Sequence, residues 1–281
     1  MTNAKILDGK LVAAHIQEQL AAELGSINRP VHLKVILVGE DPASHIYVNQ
    51  KHKACEKVGI TSSTAQFDES LSQADLLAEI KQLNQDPDTH GILVQLPLPS
   101  HIEPLKVLEA IDPAKDIDGF HPTNVGRLAI RAPGIRPCTP RGMMRLLEHY
   151  DIDVKRMDAV VVGASNIVGR PMSLELLLAG ASVQVCHRFT QNLEAKVRQA
   201  DLVVAAAGKQ GLIQGDWIKP GAIVLDVGIH RTPTGLCGDV DFTLAAERAS
   251  WISPVPGGVG PMTVAMLMSN TIEAFKLQNN L

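Results

Sequence analysis

Two kinds of apolar pattern alternate along this chain. Spaced positions at Leu11, Val12 and Ile16, then Leu20 and Leu24, put one apolar face on a helix predicted over residues 8–24. Unbroken branched runs instead mark strands: LKVILV at 33–38, GILVQLPL at 91–98, 159–162, and the runs inside ADLVVAAAGK and GAIVLDVGIHR. Further strands are predicted at 63–67 and 182–186. Between them fall helical segments. One follows Ser44, its expected cap, and is closed by Gly59; others span 72–85, 103–111, 141–150 and 192–199, and a last one starts near Thr263. Strands alternating with helices predict an α/β protein with parallel sheets.

The three prolines and one glycine within 128–140 mark a junction between two domains. The expected division is 1–139 together with 263–281, and 140–262. In the second domain an apolar run stops at Gly163, and after Gly169 and Arg170 come Pro171 and an apolar segment ending at Gly180. Strand, glycine turn and helix follow one another there. The free N–H groups at such a helix start favour an anion such as a dinucleotide pyrophosphate. Ser165 stands where the usual fingerprint has its second glycine, and the last glycine comes one residue late, so the turn alone fits an ordinary βα connection equally well.

Composition narrows the partners. The net charge is −4 over 281 residues, which gives no general attraction for nucleic acid or a membrane surface. The four cysteines are far apart with no CxxC pair, as expected of a reducing compartment without a disulfide framework or zinc knot. No signal core or bilayer-length apolar run is visible, and a cytoplasmic protein is expected.

Candidate chemistry sits at four places. Tyr47 and Lys51 lie four residues apart and share a helix face, although Lys51, Lys53 and Lys57 also read as a solvated face. Gln95 interrupts a buried strand. Leaving its amide unpaired would cost about 1–3 kcal/mol, so it is either a satisfied core amide or part of a site beyond the strand end. Asp112, Asp116 and Asp118 crowd into one turn, where helix caps and Asx-turns compete with ligand binding; no metal site is indicated. At the end of the second strand of the later half, where NAD-binding folds carry an acid for the ribose, stands Arg188. A guanidinium there favours NADP, unless it is an ordinary surface arginine.

Eight blocks in order, YVNQK (47–51), GILVQLPLP (91–99), KDIDGF (115–120), PCTP (137–140), GASNIVGRP (163–171), DVGI (226–229), GDVDF (238–242) and PVPGGVGPMT (254–263), resemble the bifunctional methylenetetrahydrofolate dehydrogenase/methenyltetrahydrofolate cyclohydrolase family. The resemblance covers essentially the whole chain. It implies an N-terminal α/β catalytic domain and a C-terminal Rossmann-type NADP domain with a cleft between them. It also implies NADP-dependent oxidation of methylenetetrahydrofolate, then hydrolysis of the methenyl cation to the formyl derivative, in a homodimer.

By residue, the resemblance makes Lys51 the catalytic lysine, with Gln95 hydrogen-bonded to it or to the one-carbon region. Tyr47 offers its ring to the aminobenzoyl group, Asp118 holds the pterin's amino-pyrimidine edge, and Val94 and Leu96 flank the substrate. Pro256, Gly257 and Gly260 belong to a loop covering the folate. Gly163, Ala164, Ser165, Arg188 and Ile229 align with NADP-contacting positions. Three residues depart from a common family pattern: Ala164 replaces an arginine, Arg188 a serine and His230 an asparagine. The first two exchanges move the phosphate's positive partner to the second strand, and the third leaves local contacts open. Rival readings are another two-domain NADP oxidoreductase of shikimate or amino-acid dehydrogenase type, and a sensor that binds NADP without turnover.

Overall fold

The computed structural model describes residues 4–27, 29–233 and 235–281. Up to residue 138 the elements are β1 (Lys5–Ile6), α1 (Gly9–Ser26), β2 (His32–Val38), α2 (Pro42–Val58), β3 (Thr61–Phe67), α3 (Gln73–Gln85), β4 (Gly91–Val94), α4 (Pro104–Ala110) and α5 (Pro122–Ala129). Then follow α6 (Cys138–His149), β5 (Asp158–Val162), α7 (Gly169–Leu178), β6 (Ser182–Cys186), α8 (Leu193–Gln199), β7 (Leu202–Ala205), β8 (Ile223–Asp226), β9 (His230–Thr232), β10 (Gly235–Cys237), α9 (Phe242–Arg248), β11 (Trp251–Ile252) and α10 (Val259–Asn279). They form two compact units.

One unit comprises Ala14–Cys138 and Val264–Leu281. Its parallel sheet has the order β3-β2-β4, with Val35 of the central strand opposite Leu93 on one side and Thr64 on the other. β4 is buried along its whole length, as the unbroken apolar run requires, whereas β3 alternates and forms an edge. Ile36, Ile92 and Val94 pack with Leu76 and Ile80 of α3 and Val107 of α4. Each such side chain contributes about 1.5–3 kcal/mol by leaving water. β4 ends four residues short of the expected strand: Gln95 N–H still bonds Ile36 O at 2.9 Å, but Pro97, after a cis Leu96–Pro97 peptide, has no N–H to continue the ladder. From α10, Asn270 Nδ2 donates to Ile117 O at 2.7 Å and Arg136 O at 2.9 Å, tying the returning helix into this unit.

The other unit comprises Thr139–Thr263 and the described residues up to Ala13. All strands of its sheet, ordered β1-β11-β8-β7-β5-β6, run parallel. Residues 4–13, expected with the first domain, belong here instead. Lys5 pairs with Trp251 and Ile6 with Ile252, and Leu7 N–H bonds Ile252 O at 2.9 Å. A strand of two residues leaves no periodicity to read. The hairpin β9–β10 and helix α5 were likewise not anticipated, and α10 begins at Val259 rather than near Thr263. No helix among the described residues is long and apolar enough to cross a membrane.

Candidate active site

Helix α2 carries the first group of side chains. Pro42 sits at its first turn, so the cap is the residue before it: the Asp41 carboxylate accepts from Ser44 N–H at 2.9 Å and Ser44 Oγ–H at 2.8 Å. Ser44, expected as the cap, is the capped residue and is buried. One turn further on, Tyr47 is 42% exposed, and after another turn Lys51 is half-buried. The lysine does not point into the solvated row. Its Nζ donates to Gln95 Oε1 at 2.9 Å, while Gln95 Nε2 donates to Leu96 O at 2.6 Å. The buried amide is thus satisfied, and one of its two partners is the candidate catalytic amine. Val94 is 2% exposed in the core, so only its backbone could meet a ligand; Leu96 is half-buried.

Of the three acids in the following turn, two are occupied in building it. Asp112 Oδ1 accepts Ala114 N–H at 2.9 Å. Asp116 is buried and accepts Gly119 N–H at 3.1 Å, His121 N–H at 2.8 Å and Asn124 Nδ2 at 2.9 Å. Gly119 adopts φ +75°, and a Cβ there would lie 2.5 Å from the Arg136 carbonyl carbon, so glycine is required. From sequence Asp116 is only one of three crowded acids, with caps and ligand binding as alternatives, and its partner Asn124 is not singled out.

Asp118 is left over. Among the described residues its carboxyl has no hydrogen-bond partner, and burial pushes it up to about 6, against the downward pull of the Lys51 charge and with an upward push from Asp116. A half-buried carboxylate without a hydrogen-bond partner among the described residues, within the field of Lys51, is suited to a planar two-donor edge. If it binds one, the substrate KM rises as pH falls through about 6, where Asp118 takes up a proton. Asp118→Asn has a high KM that no longer follows this titration. The folded-state value lies above the unfolded carboxyl range near 4, so the charged form costs stability above about pH 6, a cost that disappears toward pH 4. The same variant therefore gains up to about 3 kcal/mol at pH 8, and the gain closes at low pH; denaturant melts at the two pH values check this.

In the six-stranded unit, β5 ends at Gly163, which has φ +130°. A Cβ on Gly163 would lie 2.0 Å from Ala206 O, and one on Gly169 would lie 2.0 Å from Gly163 O. Ser165 Oγ accepts Val168 N–H at 3.1 Å and Gly169 N–H at 3.4 Å. The serine in the fingerprint's glycine place thus serves two amides at the helix start, and its own hydroxyl proton is still available to an anion. Ala164 is half-buried. Arg188 is exposed beyond β6, with no carboxylate among the described residues paired to it.

Two carboxylates absent from the expectations shape the ends of β7 and β8. Asp226 accepts Gly228 N–H and Asp239 N–H, both at 3.0 Å, and Val240 N–H at 2.9 Å; burial still pushes it up to about 6. Asp239, fully buried, accepts Ala207 N–H at 2.7 Å and Gly208 N–H at 2.9 Å, and its other oxygen meets His230 Nε2 at 2.7 Å. The histidine in the family's asparagine place therefore has a defined partner. This bracing leaves Ile229 47% exposed, and a Cβ on Gly260 would lie 3.9 Å from Ile229 Cδ1. Pro256 is exposed after a cis Val255–Pro256 peptide, and Gly257 O accepts Lys10 N–H at 3.0 Å.

Residues 7–118 match the family model described as tetrahydrofolate dehydrogenase/cyclohydrolase, catalytic domain, and residues 137–279 match the corresponding NAD(P)-binding domain. Among solved structures, the bifunctional methylenetetrahydrofolate dehydrogenase/cyclohydrolase of Campylobacter jejuni is 51% identical, over 99% of this chain and 100% of that one, with TM-score 0.96. The methylenetetrahydrofolate dehydrogenase of the silkworm Bombyx mori is 44% identical over 99% and 100%, with TM-score 0.93. The Trypanosoma brucei dehydrogenase-cyclohydrolase, complexed with NADP and an inhibitor, is 38% identical over 100% of both chains, with TM-score 0.95.

Proposed function

Because the chain belongs to the tetrahydrofolate dehydrogenase/cyclohydrolase family, we propose that the side chains described above oxidise methylenetetrahydrofolate with NADP and then hydrolyse the methenyl cation to formyltetrahydrofolate. The observation that carries the assignment of residues is the Lys51–Gln95 hydrogen bond in the field of an unpaired Asp118. A shikimate-type or amino-acid dehydrogenase gives that group no role, and the catalytic-domain match over 7–118 sets it aside.

In the hydrolysis, water adds to the cationic carbon and Lys51, acting through its unprotonated amine, accepts one of its protons. The same amine then returns a proton to the ring nitrogen as the carbon–nitrogen bond breaks, while the hydroxyl proton leaves as the formyl C=O forms. Gln95 aims the amine by accepting from it. Asp118 holds the pterin edge and Tyr47 lies against the aminobenzoyl ring, with Val94 and Leu96 contributing backbone and shape.

The residues fit NADP: a turn that Cβ atoms would fill, a hydroxyl with a proton to donate at a helix start, and an unpaired guanidinium. When bound, NADP supplies the hydride acceptor. The protein's part in that step is to offer the Gly163, Ala164 and Ser165 turn, to hold the backbone beside Ile229 through the Asp226 and Asp239 braces, and to meet the 2′-phosphate with Arg188. We place the enzyme in the cytoplasm as a homodimer, a state that light scattering tests.

Absorbance-followed turnover of methylenetetrahydrofolate with NADP and with NAD tests substrate and cofactor together. With Arg188→Ala, kcat/KM for NADP should fall about 10- to 100-fold, the worth of a charge-assisted phosphate contact, while NAD is unaffected. Equal losses with both cofactors would remove Arg188 from its assigned role.

A further inference from the structure

Beyond β6 the chain makes a tight turn whose two central residues are Arg188 and Phe189. Thr190 N–H bonds His187 O at 2.8 Å, His187 N–H bonds Thr190 Oγ1 at 2.8 Å, and Phe189 N–H bonds His187 Nδ1 at 3.2 Å. Three hydrogen bonds thus hold a turn that pushes both central side chains outward. Phe189 is 73% exposed; its ring centroid lies 5.9 Å from that of His187 and 4.7 Å from the Arg188 guanidinium carbon.

We propose that Phe189 is a specificity-determining residue, a platform that pre-positions the Arg188 guanidinium for the cofactor's 2′-phosphate. This rests on the assignment of Arg188 to that phosphate. A guanidinium held over a ring and not against a carboxylate keeps its N–H donors unconsumed, and those donors match a phosphate bidentately. A carboxylate in the ring's place would fix the arginine too, but it would consume the donors and compete with the phosphate for the charge. An exposed arginine without support loses rotamer freedom whenever it binds, and the ring removes part of that loss before the ligand arrives. NAD presents a hydroxyl at the same position, so it gains little from the platform.

The test uses the full-length enzyme with Phe189→Ala, Phe189→Trp, Arg188→Ala and the Arg188→Ala/Phe189→Ala double variant. Two readouts are taken: kcat/KM with NADP and NAD, and direct calorimetric binding of adenosine 2′,5′-bisphosphate against 5′-AMP. Phe189→Ala should weaken NADP and the bisphosphate about three- to fivefold, the scale of an exposed cation–π contact, through KM with kcat unchanged. NAD and 5′-AMP should not change, Phe189→Trp should keep the wild-type values, and Phe189→Ala should add nothing once Arg188 is gone. Cyclohydrolase activity, whose residues lie in the other unit, reports that each variant is folded.

Equal weakening of phosphorylated and unphosphorylated ligands would overturn the proposal and make the ring a general adenosine contact. So would no change at all, or a full additional loss in the Arg188→Ala background. If Arg188→Ala leaves the NADP-to-NAD ratio intact, the reading of Arg188 fails and this inference with it. If Arg188→Ala lowers the ratio and Phe189→Ala does not, only the platform fails.

Discussion

Lys51→Met abolishes hydrolysis of methenyltetrahydrofolate, with an expected fall of about 10²–10⁴-fold, the range supplied by a positioned acid–base group. The oxidation falls far less, because hydride transfer asks the protein for alignment and not for a proton acceptor. Supplied with methylenetetrahydrofolate and NADP, the variant should therefore accumulate the methenyl cation, which is followed by its absorbance. Lys51→Arg separates charge from proton transfer. A guanidinium keeps the positive charge and can still donate to Gln95 Oε1, now 2.9 Å from the amine, but it does not give up its proton near neutral pH. It should fail in hydrolysis as Met does. Hydrolysis that survives both changes would mean that this amine is not the proton-transfer group.

The mirror-image loss is expected from Gly163→Ala. The added Cβ would meet Ala206 O at 2.0 Å in a backbone with φ +130°, so the turn after β5 must open. Gly163 N–H also bonds Cys186 O at 2.9 Å, at the end of the strand that leads to Arg188. Moving this turn displaces Ser165 and the start of α7 together. Oxidation with NADP should fall at least about 100-fold in kcat/KM, with a stability loss of about 1–3 kcal/mol for the strained site. Methenyl hydrolysis should persist, because Lys51, Gln95 and Asp118 are carried by the other unit. Parallel loss of both activities would indicate global unfolding instead, and a fully active dehydrogenase would remove the turn from the cofactor site.

These two variants divide the molecule along a line that was partly legible in its residues. Local pattern was enough for β2, β5, β7 and β8 and for the start of β4, because a strand covered on both faces is apolar along most of its length. It was enough for the helix bearing Tyr47 and Lys51, since spacing along a helix decides which residues share a face. It failed where an element is too short to repeat, as in β1, and where one residue shifts another's role, as Pro42 moves the cap from Ser44 to Asp41.

The sequence by itself determined the α/β alternation, the glycine turn, the family resemblance and the identity of the candidate residues, all of which depend on order and spacing along the chain. Only the tertiary structure decided that Lys51 turns to Gln95, that Asp118 alone of three neighbouring acids has no hydrogen-bond partner among the described residues, that His230 meets Asp239, and that residues 4–13 join the six-stranded unit. The reason is physical: burial and hydrogen-bond partnership are set by groups from nine residues away, as for His230 and Asp239, to 44 away, as for Lys51 and Gln95, and farther, and they choose among side chains that local pattern leaves equivalent.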